Sequence, residues 1–304
     1  MSKIISILEA KSLIEYKKAY SLMTSLHYCL FKYQNPLYYL NNSDYSTFLN
    51  FNNYNQINYN KIYDNNKKNN DNFIGYILIL EHPTIYSIGC NTPSDQIQKL
   101  QSIISPEIIH FSDRGGMITC HAPGQKVVYF IINLIEFFSP FSADIKKFII
   151  IIQSFFSLFL KNYCNIDTKQ INNYPGLWIH NYNNFNYSEH FDNYKLNSNK
   201  NNNEKNQNDF ISQNYKKILF LGLKVKNSIT YHGISLNIHQ QSHHFAKISH
   251  ACGIKDCIIT SIEEEIKYKS IYINNLNINQ IFTHYIGNFI HYYDDYIKYS
   301  NKIF

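Results

Sequence analysis

Residues 113–129 read DRGGMITCHAPGQKVVY and place three of the ten glycines of this 304-residue chain in one short stretch. The stretch also holds Arg114, the sole arginine of a chain whose other basic side chains are lysines. Paired glycines let backbone approach a ligand closely, and Gly115 and Gly116 stand between two predicted strands. A guanidinium can bind an anion or several backbone carbonyls. The stretch therefore predicts a ligand-binding loop; the alternative is a tight hairpin with the two glycines in a primed turn.

Apolar periodicity on both sides of this loop predicts alternating strands and helices. Predicted strands are 75–80, 84–88, 108–111, 127–134, 176–180, 217–221 and 234–238, and predicted helices are 143–163, 263–267 and 278–299. Strands with helices on one side favour an α+β or α/β-type fold, with a mixed sheet flanked by helices, over a β-sandwich.

Two Asn-rich segments, 41–72 and 181–214, show neither helical nor strand periodicity. Such composition predicts two disordered surface insertions, and we expect both to be dispensable. The remaining residues suit one domain, so residues 1–304 are predicted to form a single domain.

Charge and cysteine usage narrow the function classes. The net charge is +6, but the lysines are scattered and no dense basic helix with interleaved aromatics occurs, so no nucleic-acid partner is predicted. Six cysteines without a CxxC pair predict neither a disulfide scaffold nor a metal site, and favour a reducing compartment. No apolar run approaches the roughly 20 residues that span a bilayer, so we expect a soluble protein without membrane contact. The N-terminus carries no recognisable leader.

Two further clusters carry polar residues of chemical interest. Residues 217–237 read KILFLGLKVKNSITYHGISLN, in which TYHG echoes the TCHA of the first cluster. The two turns are predicted to face one pocket, with His121 and His232 as structural residues rather than catalytic bases. Residues 248–254 read ISHACGI, where Cys252 precedes a glycine. A lone cysteine is more often a small buried residue, and acts as a nucleophile only with a lowered pKa.

In this order, the three clusters resemble the octanoyltransferase family of lipoate biosynthesis, whose pattern is RGGxxTxHGPGQ, then KI(x)3G with TxHG(x)2LN, then PCG. The resemblance spans Gly75 to Ile262 apart from the second insertion, and EHPTIYSIG at 81–89 also matches. It implies the catalytic-domain fold shared by biotin and lipoate protein ligases. Two positions depart from the pattern, with Ala122 in place of a glycine and Ala251 in place of a proline. A turn that needs positive φ would be strained at Ala122.

The resemblance also implies roles for individual residues. Cys252 corresponds to the nucleophile that carries an acyl thioester, and Lys217 to the lysine that lowers the pKa of its thiol. The implied acyl-binding residues are Arg114, Gly115, Gly116, Met117, Ile118, Thr119, Cys120, His121, Phe220, Leu221, Gly222, Gly233, Ile234 and Ser235.

The implied reaction needs neither ATP nor a metal. Octanoyl-acyl carrier protein would be the donor, and the acceptor would be a lysine on a lipoyl domain of a 2-oxoacid dehydrogenase or on the glycine-cleavage H protein. In a eukaryote the compartment would be mitochondrion or plastid, otherwise the cytoplasm.

Three other functions stay open at this point. A lipoate or biotin protein ligase would adenylate its acid with ATP and would use an extended glycine-rich phosphate loop, which SDRGGMITCHAPGQ lacks. A protein-to-protein amidotransferase would also use a cysteine. A non-catalytic binding module would leave Cys252 as inert as Cys257.

Overall fold

The chain alternates short strands with helices, and the computed structural model describes residues 3–10, 12–33, 51–52, 72–181, 203–239, 254, 256–268 and 278–300. The strands are β1 (Lys3–Ala10), β2 (Phe51–Asn52), β3 (Asn72–Leu80), β4 (Ile85–Ile88), β5 (Ile109–Phe111), β6 (Ile118–His121), β7 (Gln125–Ile132), β8 (Lys169–Ile171), β9 (Tyr174–His180), β10 (Tyr215–Lys226), β11 (Ile229–Asn237) and β12 (Ile258–Ile259). The helices are α1 (Tyr16–Tyr33), α2 (Ser94–Ile103), α3 (Leu134–Phe138), α4 (Ile145–Cys164), α5 (Asn203–Asn214), α6 (Ile262–Tyr268), α7 (Ile278–Ile286) and α8 (Phe289–Ser300).

Nine of the described strands form one mixed sheet in the order β2-β1-β3-β7-β11-β10-β9-β8, with β12 beside β10. Strand β1 runs parallel to β3 and β12 runs parallel to β10, while the other neighbours are antiparallel. A smaller sheet has the order β5-β4-β6. The predicted class, a mixed sheet flanked by helices, is confirmed.

The central strands read as continuous apolar runs because both of their faces are buried. Successive side chains of a strand point to opposite faces. Ile77 and Phe130 accordingly lie in the larger core, which includes side chains of α4, α7 and α8. Leu78 and Tyr129 lie in the smaller core against α1. Helices therefore cover both faces, and the expectation of helices on one side was wrong because the N-terminal helix packs on the opposite face.

Helix α4 is long and apolar enough to cross a membrane by length and composition alone. Its phenylalanines, among them Phe148, Phe155 and Phe159, are buried in the larger core, whereas Ile150 and Leu158 are exposed. A core helix of a globular domain can have the same length and apolar composition as a membrane-spanning helix. Burial in the core accounts for the composition of α4.

Two differences from the sequence prediction concern helices. The predicted helix 278–299 is interrupted at Gly287, whose N–H donates to the carbonyls of Thr283 and His284, so α7 and α8 are separate. The predicted insertion 181–214 ends in α5, where Ile211 is buried against Trp178. That end of the segment was predicted to be irregular because its sequence shows no helical periodicity. Residues 41–50, 53–71 and 182–202 of the two predicted insertions lie outside the described residues.

Candidate active site

A cavity of about 570 Å³ lies between the loop 113–118, strand β6 and the facing strands β10 and β11. Its volume is within the range of about 300–1,000 Å³ that is typical of small-molecule sites. The predicted acyl-binding residues line this cavity with two exceptions, Gly115 and Cys120. Lys217 lines the same cavity. Segments more than 100 residues apart in the sequence thus converge on one site.

Arg114 holds the loop together by binding backbone carbonyls. Its Nη2 donates to the carbonyl oxygens of Ser87 and Met117 over 2.7 and 2.6 Å, and its Nη1 donates to Gly115 O over 3.1 Å. Its Nε donates to Ser87 Oγ over 3.0 Å. A lysine ammonium lacks the planar fork that binds several carbonyls in this way. The structure thus realises the second of the two uses expected for this arginine.

The paired glycines form a loop over β10 and not a hairpin turn. Gly116 has φ +86°, whereas Gly115 lies outside the left-handed region, and strands β5 and β6 each pair with β4 instead of with each other. A Cβ at Gly222 would lie 2.8 Å from the carbonyl oxygen of Gly115. The loop therefore lies directly against β10, because Gly222 has no side chain. The φ values and the strand pairing exclude the alternative of a primed hairpin turn.

The departure at Ala122 introduces no backbone strain. Ala122 is buried and lies outside the left-handed region, and the positive φ of this turn, +89°, falls on Gly124. The strain anticipated at Ala122 does not occur. Ala251 lies outside the described residues.

Lys217 is a buried cation in the cavity wall, 2% exposed. Its Nζ donates to Pro175 O over 2.9 Å and lies 4.6 Å from the ring centre of Trp178 and 5.3 Å from that of Phe220. Within the part of the chain that the structure describes, no carboxylate forms an ion pair with Lys217. Charged groups of this kind are costly to bury without a partner. A carbonyl oxygen and two aromatic rings are therefore the described partners of this ammonium.

Cys252 lies outside the described residues, whereas Ile254 and residues 256–268 on its C-terminal side are described. Ile254 is fully buried in a cluster with Trp178 and Ile211. Farther on, β12 pairs with β10 beside Lys217, and the N–H of Thr260 donates to Lys217 O over 3.0 Å.

Asp113, which the sequence analysis did not single out, does not line the cavity but binds two residues beside it and one in its wall. It accepts hydrogen bonds from Tyr231 Oη over 2.7 Å and from Lys224 Nζ over 3.1 Å, and its Oδ1 lies 2.8 Å from His232 Nε2. Burial raises the pKa of Asp113, but the hydrogen bonds from these three neighbours outweigh it and hold the pKa well below its usual range. The carboxylate therefore ties the loop to β10 and β11. The feature of the sequence that could have identified Asp113 is its position next to Arg114, the sole arginine.

Two buried imidazoles lie at the cavity, which is lined by His121 but not by His82. Burial, together with the nearby His82, holds the pKa of His121 well below its usual value. His121 Nδ1 lies 2.7 Å from Gln125 Oε1, and His82 Nε2 lies 2.9 Å from Tyr129 Oη. Tyr16 of α1 stacks on the His121 ring with centroids 6.5 Å apart and also lines the cavity. Tyr16 was missed because its place at the site depends on how α1 packs, whereas the available signal for His82 was its position in EHPTIYSIG at 81–89.

A second wall beside Lys217 comes from β9 and α5. Tyr174 Oη donates to Asn208 Oδ1 over 2.6 Å, and both residues line the cavity. No motif marks either residue. Among the described residues, no group of three or more His, Cys, Asp or Glu side chains is arranged to hold a metal ion.

Comparison with known proteins places this architecture among lipoate-related enzymes. The family model described as the lipoyl protein ligase A/B catalytic domain matches residues 59–289. An octanoyltransferase of Wigglesworthia glossinidia brevipalpis is 28% identical over 222 residues, covering 73% of this chain and 77% of the relative. One from Buchnera aphidicola subsp. Baizongia pistaciae is 27% identical over 211 residues, covering 68% and 82%. The lipoate complex of P. falciparum LipL1 has a TM-score of 0.50 at 13% identity, covers 97% of this chain and 63% of that one, and shows likeness of fold alone.

Proposed function

The chain belongs to the lipoyl protein ligase A/B catalytic-domain family, and on this premise we propose that it transfers an octanoyl or lipoyl group by way of Cys252. The donor is an acyl carrier protein thioester, and the acceptor is a lysine amine on a lipoyl domain. The enzyme is an acyltransferase, as are the relatives named octanoyltransferase.

The observation that carries this proposal is the position of Lys217, a buried cation without a described counter-ion in the wall of the cavity. Met117, Ile118 and Ile234 give the same cavity an apolar lining suited to a hydrocarbon chain. A site of this kind accommodates a neutral acyl tail and stabilises one negative charge at its end. A thioester exchanged through a thiolate needs both properties.

Chain connectivity supports Cys252 as the source of that charge. Two peptide units separate it from Ile254, and two units span at most about 7 Å. Ile254 shares its buried cluster with Trp178, whose ring lies against the Lys217 ammonium. Because the ammonium lies against that cluster, we infer that its charge favours the thiolate of Cys252 in the reaction.

The proposed reaction has two balanced steps. The Cys252 thiolate attacks the thioester carbonyl carbon, and the carrier sulfur leaves and takes a proton from the Lys217 ammonium. The acyl group then forms a thioester with Cys252. In the second step the neutral amine of the lipoyl domain attacks, its surplus proton passes to the Lys217 amine, and the Cys252 thiolate leaves. The lysine returns to its charged form, so the cycle consumes neither ATP nor a metal ion.

Intact-protein mass spectrometry tests the covalent step. After brief mixing with octanoyl-acyl carrier protein and no ATP, we expect one octanoyl adduct that clears on addition of a lipoyl domain. Cys252→Ser and Lys217→Met should each abolish it, whereas Cys257→Ser, a nearby cysteine replacement, should retain it.

Two results would overturn the proposal. Acylation of the lipoyl domain only with ATP and free octanoate would identify an ATP-dependent ligase. An adduct formed from an octanoylated protein but never from the carrier thioester would identify an amidotransferase.

A further inference from the structure

The floor of the cavity contains a row of residues paired across four neighbouring strands. Val127 of β7 pairs with Ser235 of β11. Ser235 pairs in turn with Phe220 of β10, and Phe220 pairs with Gly176 of β9. Neighbouring strands lie about 4.7–4.9 Å apart, so this row extends about 14 Å from β7 to β9. The cavity therefore crosses all four strands, since residues of each line it.

The Lys217 ammonium lies between β10 and β9. A register shift between Lys217 and Leu219 brings both Lys217 and Phe220 into the cavity wall, although an odd number of positions separates them. Gly176 makes room for the lysine side chain, because a Cβ there would lie 2.7 Å from Lys217 Cε. The ammonium donates to Pro175 O of β9. It thus separates the β7 side of the floor from the β9 side.

The β7 side of the ammonium suits a hydrocarbon chain. Val127 contributes an aliphatic side chain there, and the hydroxyl of Tyr129 is already bound to His82. In the proposed function the acyl tail accordingly lies over β11 and β7. The remainder of the donor, which begins at the thioester sulfur, then leaves the site over β9.

The β9 side presents a carboxamide. Asn208 is three residues before Ile211 on α5, and residues at this spacing share a helix face, so the packing of Ile211 against Trp178 holds Asn208 at the cavity. Tyr174, which faces the same side of β9 as Gly176, donates to Asn208 Oδ1 over 2.6 Å. Within the described ranges of the chain, no hydrogen bond joins Asn208 Nδ2 to another residue. A carboxamide N–H in this position is a donor for an amide carbonyl of a ligand.

We propose that Asn208 and Tyr174 form a binding site for the amide-containing arm of the donor, the pantetheine group that joins the acyl thioester to its carrier protein. The inference rests on the proposed function, in which a carrier thioester is the donor. Only a short ethylene spacer separates the first amide of this arm from its sulfur, so that amide follows the thioester over β9. Asn208 Nδ2 donates to the amide oxygen, and Tyr174 is a positioning residue that holds the Asn208 side chain.

The expected effect is a selective loss for donors that carry the arm. One uncharged hydrogen bond changes an equilibrium or rate constant by about 2- to 12-fold. A donor without the amide has no such contact to lose. Replacing Asn208 should therefore reduce the preference of the enzyme for octanoyl-pantetheine over S-butyl octanethioate, which has the same acyl group and no amide.

The test is the rate of acyl transfer to a lipoyl domain by the full-length protein, without ATP, from each of these two donors. The wild type should have the higher kcat/KM with octanoyl-pantetheine, and Asn208→Leu should reduce this preference by about 2- to 12-fold. Tyr174→Phe should reduce it as well. Asn214→Leu is the matched control and should keep the wild-type preference, because Asn214 also lies on α5 but donates to Phe210 O over 2.8 Å and does not line the cavity.

The outcomes separate this inference from the proposed function. Octanoyl-acyl carrier protein serves as a third donor. If it acylates the lipoyl domain but the wild type shows no preference for octanoyl-pantetheine, or folded Asn208→Leu keeps that preference, only the arm site is refuted. If no thioester acylates the lipoyl domain without ATP, the proposed function fails and the arm site fails with it. Asn208→Ala, which removes the same N–H, provides the same decision should Asn208→Leu fail to fold.

Discussion

Acidification to pH 5 should destabilise this enzyme through a buried imidazole. Burial, with a smaller contribution from nearby His110, lowers the pKa of His82 to about 4. Its two ring nitrogens face Ile14 O at 2.6 Å and Tyr129 Oη at 2.9 Å. The neutral ring satisfies both contacts by donating to the carbonyl and accepting from the phenol. A charged ring would need the Tyr129 hydroxyl to turn and would carry its charge in the protein interior.

The magnitude follows from proton linkage. An unfolded histidine binds a proton below pH about 6.5, whereas folded His82 does so only below about 4. The contribution of neutral His82 to the free energy of unfolding is therefore complete above pH 6.5. It falls towards pH 4, at up to about 1.4 kcal/mol per pH unit. By pH 5 the loss from His82 alone reaches about 2 kcal/mol. The lowered pKa of His121 acts in the same direction.

Urea denaturation at pH 7, 6 and 5 measures this loss as the change in unfolding free energy. His82→Gln removes the titrating ring, so the decrease between pH 7 and 5 should be smaller than in the wild type by about 2 kcal/mol. His291→Gln, at an exposed position on α8, should keep the wild-type decrease. A His82→Gln variant with an unchanged pH dependence would refute the reasoning, whatever its stability at pH 7.

Two further predictions concern the acyl tail and the second Asn-rich segment. A hexanoyl donor should react with a kcat/KM roughly 15-fold below that of an octanoyl donor, because burying two fewer methylene groups loses about 1.6 kcal/mol of binding free energy. Equal values of kcat/KM would show that the acyl tail stays outside the cavity. Deleting residues 182–202 should leave the rate of acyl transfer unchanged. Ile211→Ala should lower the free energy of unfolding by about 2–5 kcal/mol, because it leaves a cavity between α5 and Trp178. Urea midpoints and transfer rates check both parts, and a dead but folded deletion would show that this segment takes part in docking.

Local patterns were sufficient to predict much of the fold and the outline of the site. Continuous apolar runs identify the central strands because both faces of β3 and β7 are buried. Glycine and arginine are rare in this chain, so their concentration at 113–129 marked the loop over the cavity. Most of the predicted acyl-binding residues do line one cavity, although their role in binding stays a prediction.

Contacts between distant residues were decided only by the tertiary structure. Gln125 and Asn237 are 112 residues apart, and their hydrogen bond depends on the register between β7 and β11. Helix α5 is positioned by the packing of Ile211 beside Trp178. The apolar pattern of its own segment does not predict this contact. The amino-acid sequence by itself determined which strands are central and which loop is rich in chemistry, because backbone propensity and burial on both faces act locally. Which polar groups meet behind that loop was decided by strand register and helix packing, since buried donors and acceptors find partners only when the whole sheet has formed.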